Sequence, residues 1–185
     1  MQNLTRLFLL LSLAGAAFCQ ALPDIGYPLA EVRPGELHSQ FSDKRRGHIH
    51  HASDLLRPRG TPILAVTDGT IRKLIRTRTG GISIYLFDSA EEYCYFYAHI
   101  SRYAKGLHEG QEVHRGDVIA YVGSTGNARG PHLHFAVSLV PPDKRFWGGK
   151  SIDPYLMLLA ASTTIGTGDD TAVTAVGAEY QDTRQ

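Results

Sequence analysis

Three histidine clusters hold most of the chemistry this sequence offers. The first, Arg46-Gly47-His48-Ile49-His50-His51-Ala52-Ser53-Asp54, contains an H-x-x-x-D pair at His50 and Asp54. The second, Tyr97-Ala98-His99-Ile100-Ser101, closes an aromatic run. The third, Gly126-Asn127-Ala128-Arg129-Gly130-Pro131-His132-Leu133-His134-Phe135, contains H-x-H. Strand side chains alternate between faces, so His132 and His134 form a chelating edge while Leu133 and Phe135 enter the opposite layer. Hydrolytic zinc sites take three His or carboxylate ligands and keep a position for water, a set these residues can supply. With nine His in 185 residues, about 0.4 H-x-H and about 0.5 H-x-x-x-D pairs are expected by chance. Spacing alone therefore leaves a shared metal site and coincidence both open, and His48-x-His50 fits coincidence. Each pair does adjoin tight-turn residues at a strand end, where a rigid sheet can aim side chains into one cleft.

The elements that must position these groups read as all-β. Short β-branched and aromatic runs, bounded by Gly, Asp or Pro, predict strands at Thr61–Val66, Thr70–Arg76, Ile82–Phe87, Tyr93–His99, Val118–Val122 and His132–Val140. One short helix is predicted at the C-terminal end of this region, with Asp153 as cap, Pro154 at the first helical position and an apolar stretch at Tyr155–Ala160. No internal repeat is evident. The length suits one compact domain with terminal appendages.

Composition narrows the function classes. Nineteen Lys and Arg face eighteen Asp and Glu, for a formal charge of +1, and no basic block supplies the footprint a nucleic-acid binder needs. Cys19 and Cys94 are the only cysteines and lack C-x-x-C spacing, which argues against a cysteine-based metal or redox site. Cys94, within Tyr93-Cys94-Tyr95-Phe96-Tyr97, reads as a buried strand residue. Arg6 is the only charged residue before Asp24, and Leu7–Phe18 is apolar apart from Ser12, so residues 1–21 read as a secretory signal peptide. The apolar run is too short for a membrane anchor, which needs about 20 residues. Cleavage near Leu22 would leave an exported chain with no membrane span. Residues 22–36 read as an N-terminal extension and 161–185 as a flexible tail, both poor in periodic structure.

Taken together the motifs resemble the lysostaphin-type family of zinc metallopeptidases that cut peptidoglycan peptides. The resemblance runs through His50-His51-Ala52-Ser53-Asp54 (the family's H-x-G-x-D), Gly60-Thr61-Pro62-Ile63-Leu64-Ala65-Val66-Thr67-Asp68-Gly69 and Tyr97-Ala98-His99-Ile100. It continues through Val113–Ile119, Gly123-Ser124-Thr125-Gly126, Pro131-His132-Leu133-His134-Phe135 and Ile152-Asp153-Pro154, in order, over residues 37–160. It implies an all-β, mainly antiparallel, two-layer sandwich-like metallopeptidase domain with a short C-terminal helix. It also implies that His50, Asp54 and His134 bind one Zn2+ per chain and that His99 and His132 are the catalytic histidines. A peptidoglycan peptide is then the substrate, and the periplasm or cell envelope the place of work, with secretion beyond it also open.

Zinc suits amide hydrolysis because it lowers the pKa of bound water from about 15.7 towards 7. A histidine titrating near neutrality makes an effective base beside it. His132, two residues from His134, is the candidate base, and His99 the group that steadies the oxyanion or holds the water. Ala52 departs from the family's glycine; if its position requires positive φ, alanine would strain the loop. His38, His108 and His114 read as solvated loop residues, and Arg72, Lys73, Arg76 and Arg78 as a solvated strand edge. Tyr97 reads as a packing residue that should share a strand face with His99. Asn127 and Arg129 suit either a groove lining or solvent. The loops Phe87–Glu92 and Val140–Ser151, the latter carrying Trp147, are expected to wall the groove. A second class, a non-catalytic peptidoglycan-binding regulator of another wall hydrolase, is opposed by the complete set of five residues. Neither the bond cut nor the oligomeric state is legible.

Overall fold

A computed structural model describes residues 22–30, 35, 37–45 and 47–165. The signal segment at 1–21 and the tail beyond residue 165 lie outside the described residues. The elements are β1 (Lys44–Arg45), β2 (His48–Ile49), β3 (Ser53–Leu56), β4 (Pro62–Leu64), β5 (Gly69–Thr77), β6 (Gly81–Asp88) and β7 (Tyr93–Ile100). They continue as β8 (Arg102–Tyr103), β9 (Glu112–Val113), β10 (Val118–Tyr121), β11 (His132–Leu139), β12 (Ser151–Ile152) and α1 (Tyr155–Ile165). The six long runs expected from sequence all appear as strands, and every strand pairing is antiparallel.

A seven-stranded sheet has the order β12-β11-β7-β6-β5-β9, with β3 also paired to β11, and a three-stranded sheet has the order β4-β10-β8. One core lies between them. Alternation along β11 buries Leu133, Phe135 and Val137 at 0%, 0% and 1% exposure, in one core with Ile63, Ile119 and Ala120 from the small sheet. Burying several such side chains at roughly 1.5–3 kcal/mol each is what orders the two layers. The phenol oxygen of Tyr97 accepts a hydrogen bond from the Val66 amide across the core at 3.1 Å. The opposite face of the large sheet is left for His132, His134, Ala136 and Ser138.

The two ends of the domain need correction. Residues 22–36 were expected to lie outside it, yet Ile25, Tyr27 and Leu29 are 1%, 3% and 0% exposed and belong to the core. Leu29 bridges to Ile63, Gly26 donates to Val66 O and Pro28 O accepts from Leu64, so residues 25–29 extend the small sheet. They lie along that sheet rather than across the histidine-bearing face. At the other end, Asp153 Oδ1 accepts from the Tyr155 amide at 2.9 Å, the expected cap, but α1 runs to Ile165 and buries Met157, Leu158 and Ala161. The first turn beyond residue 160 is thus structured. Among the described residues no helix is long and apolar enough to cross a membrane.

Candidate metal centre

The register of β3 against β11 sets the centre. Asp54 on β3 is the direct partner of His134 on β11, so a carboxylate and an imidazole share one face at neighbouring positions. His134 Nδ1 lies 3.1 Å from Asp54 Oδ1. His50, in the loop between β2 and β3, brings its Nε2 to 3.0 Å from the same Oδ1 and 3.2 Å from His134 Nδ1. These three side chains offer ligand atoms that lie within 4.8 Å of one another.

Backbone carbonyls fix which nitrogen each ring presents. His50 Nδ1 meets Gln40 O at 3.2 Å, His99 Nδ1 meets Thr125 O at 2.9 Å and His132 Nδ1 meets Gly130 O at 2.9 Å. A carbonyl only accepts, so the Nδ1 of His99 and of His132 carries the proton and the Nε2 keeps a lone pair, while the Nδ1 of His50 lies between Gln40 O and Arg45 Nη2, the latter at 3.3 Å. His50 Nε2, His134 Nδ1 and Asp54 Oδ1 converge, and two imidazole nitrogens with a carboxylate oxygen are a donor set that fits a divalent cation such as zinc.

The electrostatics agree with that arrangement. Burial alone would raise the Asp54 carboxyl, but the hydrogen bonds from His134 and His50, and their charge, hold it well below the usual carboxylate range. Burial pushes the His134 imidazole down despite its bond to Asp54. A lowered Asp54 carboxyl and a lowered His134 imidazole both favour the uncharged imidazole and the carboxylate that metal binding uses. His99 is lowered to about 4, chiefly by burial and further by His132 and His134, against the raising effect of Thr125 O.

The structure brings all five expected residues together. The His99 ring centroid lies 4.7 Å from that of His132 and 5.6 Å from that of His134, and His132 Nε2 is 3.7 Å from Asp54 Oδ1. His99 reaches the site by an unexpected route. Continued alternation on β7 would place it with Tyr95 and Tyr97 in the core, but its φ of 62° turns the side chain to the opposite face. Tyr97 therefore packs against Phe135 in the core, as a packing residue should, and does not share the His99 face. The turns that hold His99 are packed backbone to backbone: Gly80 O accepts from His99 N at 2.8 Å, and Asn127 donates to Thr79 O at 3.0 Å. At Gly126, φ is 74° and a Cβ would collide with Thr79 O, so no larger residue fits there.

His48 is exposed on β2, paired in register with Arg45, and among the described residues it joins no metal-ligand cluster. Ala52 is fully buried, and the positive φ of its loop falls on His51, at 53°. The strain expected at Ala52 is absent from that residue.

Sequence reasoning missed Gln40 and Arg45. Gln40, 8% exposed, accepts from the Asp54 amide through Oε1 at 3.0 Å and reaches Asp54 O through Nε2 at 3.4 Å. Its own carbonyl is the His50 acceptor, so one residue orients two ligands. Arg45 Nη2 donates to Asp54 Oδ2 at 3.1 Å, which leaves Oδ1 to the cluster. Neither sits in a periodic segment, and no local pattern marks them.

The pattern of peptidase family M23 matches residues 48–154, a stretch that contains all five residues. The chain belongs to that family. It is 30% identical over 144 residues to an uncharacterized metalloprotease of Haemophilus influenzae, covering 75% of this chain and 28% of that protein. It is 35% identical over 119 residues to peptidoglycan DD-endopeptidase ShyC of Vibrio cholerae, covering 64% of this chain and 26% of that protein. The chain thus matches little more than a quarter of the length of these relatives. Among solved structures, the catalytic domain of the antimicrobial peptidase lysostaphin from Staphylococcus simulans superposes with a TM-score of 0.55 at 27% identity, covering 73% of this chain and 91% of that one. The mainly antiparallel fold with one short helix is that of the M23 lysostaphin-like domains.

Proposed function

We propose that this M23 domain is an exported zinc endopeptidase that hydrolyses peptide cross-links of bacterial peptidoglycan. The observation that carries this reading is the convergence of His50, Asp54 and His134, with the bare Nε2 atoms of His99 and His132 beside them. A bound ion would supply Lewis acidity and a water acidified towards neutral pH. His132, less buried than His99, serves as general base: its Nε2 takes a proton from water as the water oxygen adds to the amide carbon. The proton then passes to the leaving nitrogen as the C–N bond breaks, giving one carboxyl and one amine end. His99 holds the water. Its Nδ1 proton is engaged by Thr125 O, so its Nε2 accepts a hydrogen bond more readily than it donates one to an oxyanion, and its low proton affinity keeps it neutral. The name of the Vibrio cholerae relative, a peptidoglycan DD-endopeptidase, supports peptidoglycan as substrate, and the signal segment read at 1–21 supports work in the envelope.

Mass spectrometry of purified peptidoglycan after incubation with zinc-loaded protein, with a chelated control, tests this. Chelator-sensitive amine and carboxyl ends at cross-links are expected. An unchanged muropeptide profile from protein that demonstrably holds zinc would overturn the endopeptidase in favour of the non-catalytic regulator.

A further inference from the structure

The histidine-bearing face of the large sheet continues past the metal centre into an aromatic cleft. Beyond His134 on β11, Ala136 and Ser138 lie on the same face, and the direct partner of Ala136 on β7 is Phe96, itself paired with Tyr85 on β6. The Phe96 ring meets His134 edge-on at 6.0 Å and packs against Tyr85 at 4.5 Å, so the aromatic floor begins at a metal ligand. Ala136 lines the space above that floor with only a methyl group.

The loop from Val140 to Lys150 forms the far wall. Leu139 donates to Lys150 O at 2.9 Å, and a Cβ at Gly149 would collide with Leu139 O, so the returning chain lies directly against β11. This seats Phe146 on Tyr85 at 4.8 Å and Trp147 on Phe146 at 4.7 Å. Trp147, with the Arg145 guanidinium 5.8 Å from its ring, remains 56% exposed at the mouth and presents a large apolar surface to water. The cleft measures roughly 180 Å³, and the described residues lining it include no Asp, Glu, Lys or Arg. Arg145, near Trp147, has its Nε 3.4 Å from Asp143 Oδ2.

We propose that this cleft is a subsite for one uncharged side chain of the substrate peptide, with Trp147 and Ala136 setting its selectivity. The inference rests on the peptidase reading and adds to it which part of the substrate is sensed. Continuity with the metal centre identifies the occupant: a peptide held at His134 and running along β11 must cross Ala136 and Ser138. At about 3.3 Å per residue, those positions lie roughly 7 and 13 Å from His134, so the side chain sensed is two to four residues from the scissile bond. A cavity of about 150 Å³ holds a benzene-sized group, so the space takes an alanine to a leucine, and its aromatic walls leave a charged group without a partner.

Trp147 is the chain's only tryptophan, so intrinsic tryptophan emission reports on this subsite alone. The zinc-loaded protein would be titrated with cross-linked peptides released from peptidoglycan and with synthetic peptides carrying Ala, Val, Glu or Lys at each position in turn. The expected result is a blue shift on binding, with apparent Kd at least tenfold weaker when Glu or Lys occupies one position two to four residues from the cut. Trp147→Ala and, separately, Ala136→Leu should raise KM about tenfold with kcat and zinc content unchanged. That difference should vanish for substrates truncated before the sensed residue. Cleavage by the wild type with no emission change, or with charged residues accepted equally, would overturn the subsite alone. Absence of both cleavage and binding by zinc-loaded wild type would overturn the peptidase reading and the subsite together.

Discussion

His99 donates its Nδ1 proton to the carbonyl of Thr125 at 2.9 Å, and this one contact fixes the nitrogen that His99 turns towards the metal ligands. Thr125 is itself pinned by its hydroxyl, which accepts from Ile82 N at 3.0 Å and donates to Ile100 O at 2.8 Å. Thr125→Val keeps the shape and removes both bonds, leaving a partly buried amide unpaired. The expected cost is about 1–3 kcal/mol in urea unfolding. Turnover should fall while zinc content holds, because the carbonyl that orients His99 loses its anchor. An unchanged kcat in a measurably destabilised variant would show that Thr125 does not position His99.

Gln40 orients two ligands and touches no substrate position in the proposed mechanism. Gln40→Ala should weaken zinc binding about 10- to 100-fold in competition with a chromophoric chelator, the usual effect of losing such outer contacts. Gln40→Glu keeps the Oε1 acceptor for the Asp54 amide and should recover part of the loss. Substituting cobalt for zinc adds a readout of ligand geometry, since a displaced Asp54, the ligand that the Gln40 side chain holds, changes the visible spectrum. Identical affinity and spectrum in Gln40→Ala would remove it from the metal centre.

The five residues separate by metal content. His134→Ala should lose zinc. His132→Ala and His99→Ala should retain it and lose turnover, on the order of 10²-fold or more for the general base. Metal analysis by mass spectrometry of dialysed protein decides the matter, and a zinc-free His132→Ala protein would sink the division of roles.

How far this site could be read in advance depended on periodicity. His132 and His134 were legible because a strand's period of two is fixed by backbone geometry, and the buried Leu133 and Phe135 follow from the same rule. The six long strands were legible from β-branched and aromatic runs. Asp54 was legible as a ligand only through the family resemblance, since Ser53-Asp54-Leu55-Leu56 has no strand composition and becomes β3 through pairing with β11. His99 faces the site because of one positive φ, which residue type does not encode. Ile25, Tyr27 and Leu29 do alternate, but Gly26 and Pro28 between them read as breakers. Pro28 needs no donor there, because its carbonyl makes the contact to Leu64.

Cys94 predicts a pH effect away from the site. It is 3% exposed, and burial pushes its thiol from the ordinary value near 9.0 up to about 12. The folded state therefore holds this proton more tightly than the unfolded chain. Its contribution to stability is complete below pH 9 and is lost as pH rises from about 9 towards 12. Cys94→Ala should flatten that part of the stability profile, measured by urea unfolding across the range. At pH 8 a disulfide reagent should label Cys94 only after urea is added, and rapid labelling of native protein would contradict the burial.

Ala52 gives the sharpest contrast between a sequence pattern and a structure. The family pattern carries glycine at this position, which makes Ala52→Gly look like a repair that relieves strain around His50 and Asp54. The geometry argues the reverse. The positive φ of 53° belongs to His51, and the Ala52 methyl is fully buried. Glycine would remove that methyl, worth about 0.8 kcal/mol, and add roughly 0.5–1 kcal/mol of backbone entropy in the unfolded chain. Ala52→Gly should therefore destabilise the domain by about 1–2 kcal/mol, with no gain in zinc affinity because Gln40 continues to hold both ligands. Urea unfolding and a zinc titration on the same preparation test both halves, and a stabilised or tighter-binding variant would place the strain back at residue 52.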